Sequence, residues 1–374
     1  MPIAYCLLPI AHCRLPPPRL TFASIMKSSY RPVAIWIGIG IIMLIIQVVL
    51  GGVTRLTGSG LSITEWNVIT GTIPPLNENA WLTEFHKYQQ TPQYQLLNTS
   101  FTLADFKFIF FWEWLHRFWA RLIGVVFIIG FIYLLVRRYL KTEMIQPLIT
   151  LFLLGALQGA VGWIMVASGL TGDAVYVKPT RLALHFIFAM GLIAYAFWFF
   201  LVLIIPKNQV VTAPKLRTFT QTLIILTTLQ LIFGALMAGH RAAAAAPTWP
   251  DINGAFAPAS LFAASPWLIN FIENKITIHF VHRNLAYLIL VLTLILSVKL
   301  YRLPASTKYF NRLKGIPVVL VLTQVVLGVA SLVFSPGIQP NKWGTFEWMA
   351  QLHQVTGMLF ALSLFSLLYL VRRR

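Results

Sequence analysis

The chain has 374 residues, 58% of them hydrophobic and 10% charged, with a mean hydropathy of +0.75. A soluble domain carries about 25% charged residues, so this composition excludes one and points to an integral membrane protein. Two cysteines, Cys6 and Cys13, exclude a disulfide framework or a cysteine-ligated cluster in the body of the chain, and the net charge of +19 would suit a nucleic-acid partner only if it were spread over one face.

Residues 1–25 hold short apolar runs broken by Pro16, Pro17 and Pro18. They fit neither a secretory signal nor an amphipathic transit helix. Met26 is read as the true start, because Met26-Lys-Ser-Ser-Tyr-Arg leads straight into the first apolar segment. Eight such segments follow, at approximately 33–51, 108–136, 147–168, 180–205, 218–239, 276–301, 315–334 and 348–371. Each reaches the roughly 17–25 residues that cross a hydrocarbon core. With the N-terminus inside, the inner segments collect most of the lysines and arginines against a single acid, Glu143. That asymmetry reads as a topology signal, with both termini cytoplasmic, and not as a nucleic-acid footprint. The fold class expected is an all-α integral membrane protein whose eight transmembrane helices form two duplicated four-helix bundles. The halves are residues 26–212 and 213–374. Two longer outer segments, 52–107 and 240–275, stand out; the alanine run Ala242 to Ala246 in the second carries no readable signal.

Duplication is legible in the histidines. His116, His185, His282 and His353 lie at equivalent depths on the even-numbered spans, and the interval from His116 to His282 nearly equals that from His185 to His353. A second repeat accompanies them. Gln-x-x-x-Gly occurs near the outer end of every odd-numbered span, as Gln47/Gly51, Gln158/Gly162, Gln230/Gly234 and Gln324/Gly328. The step from Gln158 to Gln324 equals the step from His116 to His282, which sets the register of the repeat. The motif reads either as close helix packing with an interhelical glutamine bond, or as a contact to a cofactor edge. Two neutral imidazoles facing each other in an apolar bundle suit a six-coordinate haem iron; a single one more often hydrogen-bonds between helices. His279, one turn before His282, could compete with it as ligand. The pairing His282-Arg283 aligns with His116-Arg117 and favours His282. Arg117 and Arg283 would either pair with haem propionates or snorkel to the interface.

Glu113 breaks the symmetry, since the position one repeat later is His279. It lies on nearly the same helix face as His116. It reads either as an acid paired with Arg117 or Arg121, or as a proton acceptor in a half that does chemistry while the other half transfers electrons. A non-haem di-iron or zinc site would need clustered ligands, which the spacing does not offer. A duplicated transporter would need polar or broken helices at the midplane. A membrane cytochrome b that only transfers electrons is the competing class.

The chain after Met26 resembles the haem A synthase family. The likeness is carried by Arg55-Leu-Thr-Gly-Ser-Gly-Leu-Ser with Glu65-Trp66, then Glu113-Trp-Leu-His-Arg, Leu184-His185-Phe, His282-Arg283 and Gln351-Leu-His353-Gln. The resemblance implies an eight-helix enzyme of the bacterial inner membrane that oxidises the C8 methyl of haem O to a formyl group, giving haem A for terminal oxidases. It implies haem b on His282 and His353, and substrate haem near His116, His185 and Glu113. Some branches of the family carry a cysteine pair in the first outer loop; this chain has none there and resembles the cysteine-free, proteobacterial and mitochondrial branch. Partners expected are haem O, membrane lipid, an electron donor that no motif names and, among proteins, haem O synthase or oxidase assembly factors.

Overall fold

The computed structural model describes residues 30–66, 70–304, 307–339 and 342–372; the segment read as a leader, with Met26, lies outside the described residues. Among those described, eight helices are long and apolar enough to cross a membrane. They are α1 (Arg31–Leu56), α2 (Leu103–Val136), α3 (Thr142–Ala167), α4 (Pro179–Ile204), α5 (Pro214–His240), α6 (Lys275–Arg302), α7 (Ile316–Val333) and α8 (Thr345–Leu370). Short helix Lys308–Leu313 leads into α7. The described residues are all-α apart from β1 (Val211–Thr212) and β2 (Val371–Arg372), two short strands paired in parallel, and an isolated bridge between Ile252 and Ala255.

The start points of α2 and α3 differ from the sequence expectation, for two local reasons. Thr102 and Asp105 form a reciprocal capping box, which satisfies free N–H groups and starts α2 at Leu103, ahead of the apolar run. Pro147 lies inside α3 instead of opening it. Only its own N–H is lost, near a terminus where the freed carbonyl can meet water, so the helix runs through.

Packing divides the spans into two groups. In the first, α1 lies against α2 and α4, and α3 against α4; in the second, α5, α6, α7 and α8 close a ring. The groups meet through α4 on α5 and α8, and α1 on α8. Gln351 and Gln354 of α8 donate to the carbonyls of Val49 (3.3 Å) and Val48 (3.0 Å) in α1. Arg55, at the end of α1, donates to the carbonyl of Ala238 in the last turn of α5, where a cation meets the negative end of the helix. The four repeated histidines, His116, His185, His282 and His353, sit toward one end, here the loop end; the opposite, basic end carries the connections of α2 to α3, α4 to α5 and α6 to α7.

Two segments cover the loop end. Helices Glu78–Gln89 and Pro92–Leu97 pack on the start of α2 through an aromatic cluster of Phe85, Tyr88, Phe106 and Phe110. Burial pushes the Tyr88 phenol up to about 12. The alanine run proves structural. Ala242–Ala245 forms a 3-10 turn seated against α5, α6 and α7, and Ala242 and Ala246 have no exposed surface.

Candidate functional site

Each of the four histidines rests on the Gln-x-x-x-Gly pair of the preceding span. A Cβ built on Gly51 would lie 3.3 Å from His116 Nε2, and one on Gly162 2.9 Å from His185 Cε1. The distances are 3.2 Å from Gly234 to His282 Cε1 and 2.8 Å from Gly328 to His353 Cε1. At Gly162 and Gly328 the contact is closer than a Cβ allows, so glycine is what admits the ring; at Gly51 and Gly234 a Cβ would press on it and require the ring to shift by a few tenths of an ångström. The glutamine, one turn away on the same face, reaches the same residue. Gln47 Nε2 donates to the His116 carbonyl (3.2 Å) and Gln158 Nε2 to the His185 carbonyl (3.1 Å). Gln230 Nε2 donates to His282 Nε2 (3.3 Å) and Gln324 Nε2 to His353 Nε2 (3.2 Å). Interhelical packing through this motif is observed, and the neighbour it admits is the candidate ligand itself.

His282 and His353 face each other across the second group, with ring centres 6.4 Å apart and planes at 71°. An imidazole nitrogen sits about 2 Å from a bound transition metal and its ring centre about 1 Å further back, so two axial imidazoles sharing one iron have centres about 6 Å apart. The pair fits a haem iron. His353 Nδ1 lies 3.0 Å from the Gln324 backbone carbonyl. That bond places the ring proton on Nδ1 and the lone pair on Nε2, where it accepts from Gln324 Nε2 in this structure; a metal at Nε2 would take the place of that amide. Buried polar capacity is left unspent beside the rings, at the amide oxygens of Gln47, Gln158, Gln230 and Gln324 and at His282 Nδ1. His279 is turned elsewhere, with Nε2 at 3.3 Å from the Arg283 guanidinium. His116 and His185 occupy the corresponding places in the first group, each on its own Gln-x-x-x-Gly seat.

Glu113 is 2% exposed, and its carboxylate is fully engaged. Oε2 accepts from Ser62 N (2.7 Å), Ser62 Oγ (2.7 Å) and Ile63 N (2.9 Å), and Oε1 pairs with Arg117 at 2.6 Å. Arg117 also donates to the carbonyls of Glu65 (3.1 Å) and Ile63 (3.2 Å), and lies 4.9 Å over the Trp66 ring. Glu113 and Arg117 thus pin residues 62–66 onto α2. Arg283 does the same for the second long loop. It donates to the carbonyls of Thr248 (3.0 Å), Pro250 (3.1 Å) and Asp251. Loop clamping by both arginines is a role that neither propionate pairing nor snorkelling anticipates.

Charges in the loops reinforce these clamps. Lys87 bridges Glu65 (2.9 Å) and Glu84 (2.8 Å), and hydrogen bonds to both carboxylates raise its pKa. Hydrogen bonds from Thr248 and the Gly254 N–H hold the Asp251 carboxyl below its usual range. Sequence reasoning did not single out Ser62 and Ile63, although they fall in or beside the stretch Arg55 to Ser62; a partner on another element, far from the buried acid in the chain, leaves no periodic trace.

The chain matches the family model described as cytochrome oxidase assembly protein, COX15-CtaA, over residues 34–371. It is similar to proteins named haem A synthase. It is 39% identical to that of Flavobacterium psychrophilum over 338 residues, covering 89% of this chain and 96% of the relative. It is 40% identical to that of a Bradyrhizobium species over 331 residues, 87% and 88%. To that of Rhodospirillum centenum it is 41% identical over 304 residues, 81% of each.

Proposed function

We infer the reaction from kinship: the chain belongs to the COX15-CtaA family of cytochrome oxidase assembly proteins, and it is an oxidoreductase of the membrane that converts haem O to haem A. The change it makes is oxidation of the C8 methyl of the porphyrin to a formyl group, which withdraws electrons and protons and adds an oxygen atom. Side chains cannot supply that oxidation. The observation that carries the site assignment is the facing pair His282 and His353 at haem-spanning distance.

We propose that residues 213–374 hold haem b on this pair, and that residues 26–212 hold the substrate haem on His116 and His185. Haem b, when bound, supplies one-electron transfer. The protein's own residues do the remainder. Glycines and glutamines of the odd spans fix the ring positions. Arg117 and Arg283 keep the two loops closed over the haem-bearing ends, which limits water at each site. Glu113 serves as the proton acceptor of the substrate half through Ser62, whose hydroxyl donates to Oε2 and can accept a proton on its other side.

The strongly basic end is assigned to the cytoplasm and the loop end to the outside of a bacterial inner membrane. Haem O synthase is the natural supplier of substrate, and oxidase assembly factors the natural recipients of product. The test is product analysis. Membranes expressing this chain with a haem O source should yield haem A on extraction, and haem O alone would overturn the reading.

A further inference from the structure

The two groups of helices differ in one packing contact. In the second, α6 lies against α7; in the first, the equivalent helices α2 and α3 do not pack along their length. They approach at the rings of Phe127 and Phe152, 6.2 Å apart, toward the basic end. One to two turns beyond that contact, the same sides carry small residues. By the turn of an α-helix, Ala120 and Gly124 of α2 share the side that carries Phe127, and Gly155, Ala156 and Gly159 of α3 share the side that carries Phe152. A Cβ on Gly124, Gly155 or Gly159 would meet nothing within 4 Å.

The duplicated register explains why the other seam closes. One repeat later, Gly124 becomes Leu290, Gly155 becomes Val321, Ala156 becomes Leu322 and Gly159 becomes Val325. Val321 is 2% exposed and belongs to one cluster with Ile289, against which Leu290 packs. Small residues ordinarily bring membrane helices together; here they line a gap whose counterpart in the sister half is packed at Val321 and Leu290, while Leu322 is 49% exposed and Ala120 corresponds to a second alanine, Ala286. Nearer the loop end, α2 and α3 contribute Arg117, Trp163 and Val166 to a cavity of about 230 Å³ that Glu65 and Trp66 also bound. Arg117 follows His116 and Trp163 follows Gly162, the seat of His185. The two helices that flank the gap are thus the one that carries His116 and the one whose Gly162 seats His185.

We propose that the seam between α2 and α3 is a lateral opening through which haem O, with its long apolar tail, passes between the lipid phase and the His116/His185 site. The proposal rests on the haem A synthase reading above. A resident haem needs no such passage, and the second group has none. A substrate that must enter and leave needs one, and an isoprenoid tail lying in the gap would keep its contacts with lipid.

Exchanging residues between the seams tests this. The variant Gly124→Leu/Gly155→Val puts the residues of the closed seam into the open one, and both changes favour helix. Haem O uptake from phospholipid vesicles, followed by stopped-flow absorbance, should slow at least about tenfold while the low-spin haem at His282/His353 is retained. Uptake within about twofold of wild type would overturn the proposal. Should that variant fail to assemble, Gly159→Val is read by the same criterion. The reverse exchange, Leu290→Gly/Val321→Gly, should speed loss of the resident haem to apomyoglobin by about tenfold or more, and an unchanged rate would count against the seam. Wild-type protein that takes up haem O yet forms no haem A would overturn the assigned reaction and leave the seam standing. Equal uptake by wild type and the filled variant would do the opposite.

Discussion

Replacing Gly328 with alanine tests the histidine seat at its tightest point. The new Cβ would lie 2.8 Å from His353 Cε1 and 3.3 Å from Nδ1, well inside the roughly 3.5–4.0 Å of favourable carbon contact. The ring must move, and the first interaction to go is the 3.0 Å bond from Nδ1 to the Gln324 carbonyl. Forcing an extra methyl into a packed site costs about 1–3 kcal/mol, and a lost hydrogen bond about 0.5–1.5 kcal/mol. Against this, alanine favours helix over glycine by about 1 kcal/mol. The ligand therefore suffers more than the helix. Haem affinity should fall about 10–100-fold, the range seen when a bond orienting a metal-bound histidine is removed. Haem titration of purified protein, with low-spin absorbance as readout, measures it. Gly40→Ala is the control, because a Cβ there meets nothing within 4 Å. Wild-type haem affinity in Gly328→Ala would refute the seat.

Three further outcomes follow from the same structure. Glu113→Gln keeps the bonds to Ser62 and Ile63 but loses the charge that pairs with Arg117; haem A formation should fall and residues 62–66 should exchange amide hydrogens faster, and wild-type behaviour in both assays would remove Glu113 from the mechanism. The Asp251 carboxyl titrates below its unfolded value, so its contribution to loop 248–254 is present above that value and lost as pH falls through the depressed one; Asp251→Asn should abolish this acid-dependent loosening, and an identical pH profile would contradict it. Reporter fusions after Lys141 and after Glu84 should report opposite sides of the membrane, and matching signals would overturn the topology.

Much of this arrangement is legible in the sequence because membranes impose simple patterns. Eight apolar runs give eight helices; a capping box moves the start of α2 and Pro147 is absorbed inside α3, while α1 runs on past its apolar run to Leu56. The repeat register places the four histidines and their Gln-x-x-x-Gly partners without any coordinates. What escapes is the long-range polar wiring. Nothing in the spacing of Glu113 and Ser62, or of Arg283 and Thr248, announces their contact, since neither pair shares an element or a period. The alanine run is equally silent, because burying small side chains in a 3-10 turn requires only that neighbours leave room. The open seam lies between these extremes. Its glycines are visible in the sequence, yet small residues usually signal close packing, and only the separation of α2 from α3 in the structure reverses their meaning.

The central claim is a division of labour between two imidazole pairs, and one paired measurement reaches it directly. Purified His116→Ala/His185→Ala and His282→Ala/His353→Ala proteins are compared for haem content and for haem A formed from supplied haem O. The first should retain the low-spin haem b spectrum and make no haem A. The second should lose that spectrum. Loss of low-spin haem b from the first variant, or its retention in the second, would contradict the assignment of cofactor and substrate to the two halves.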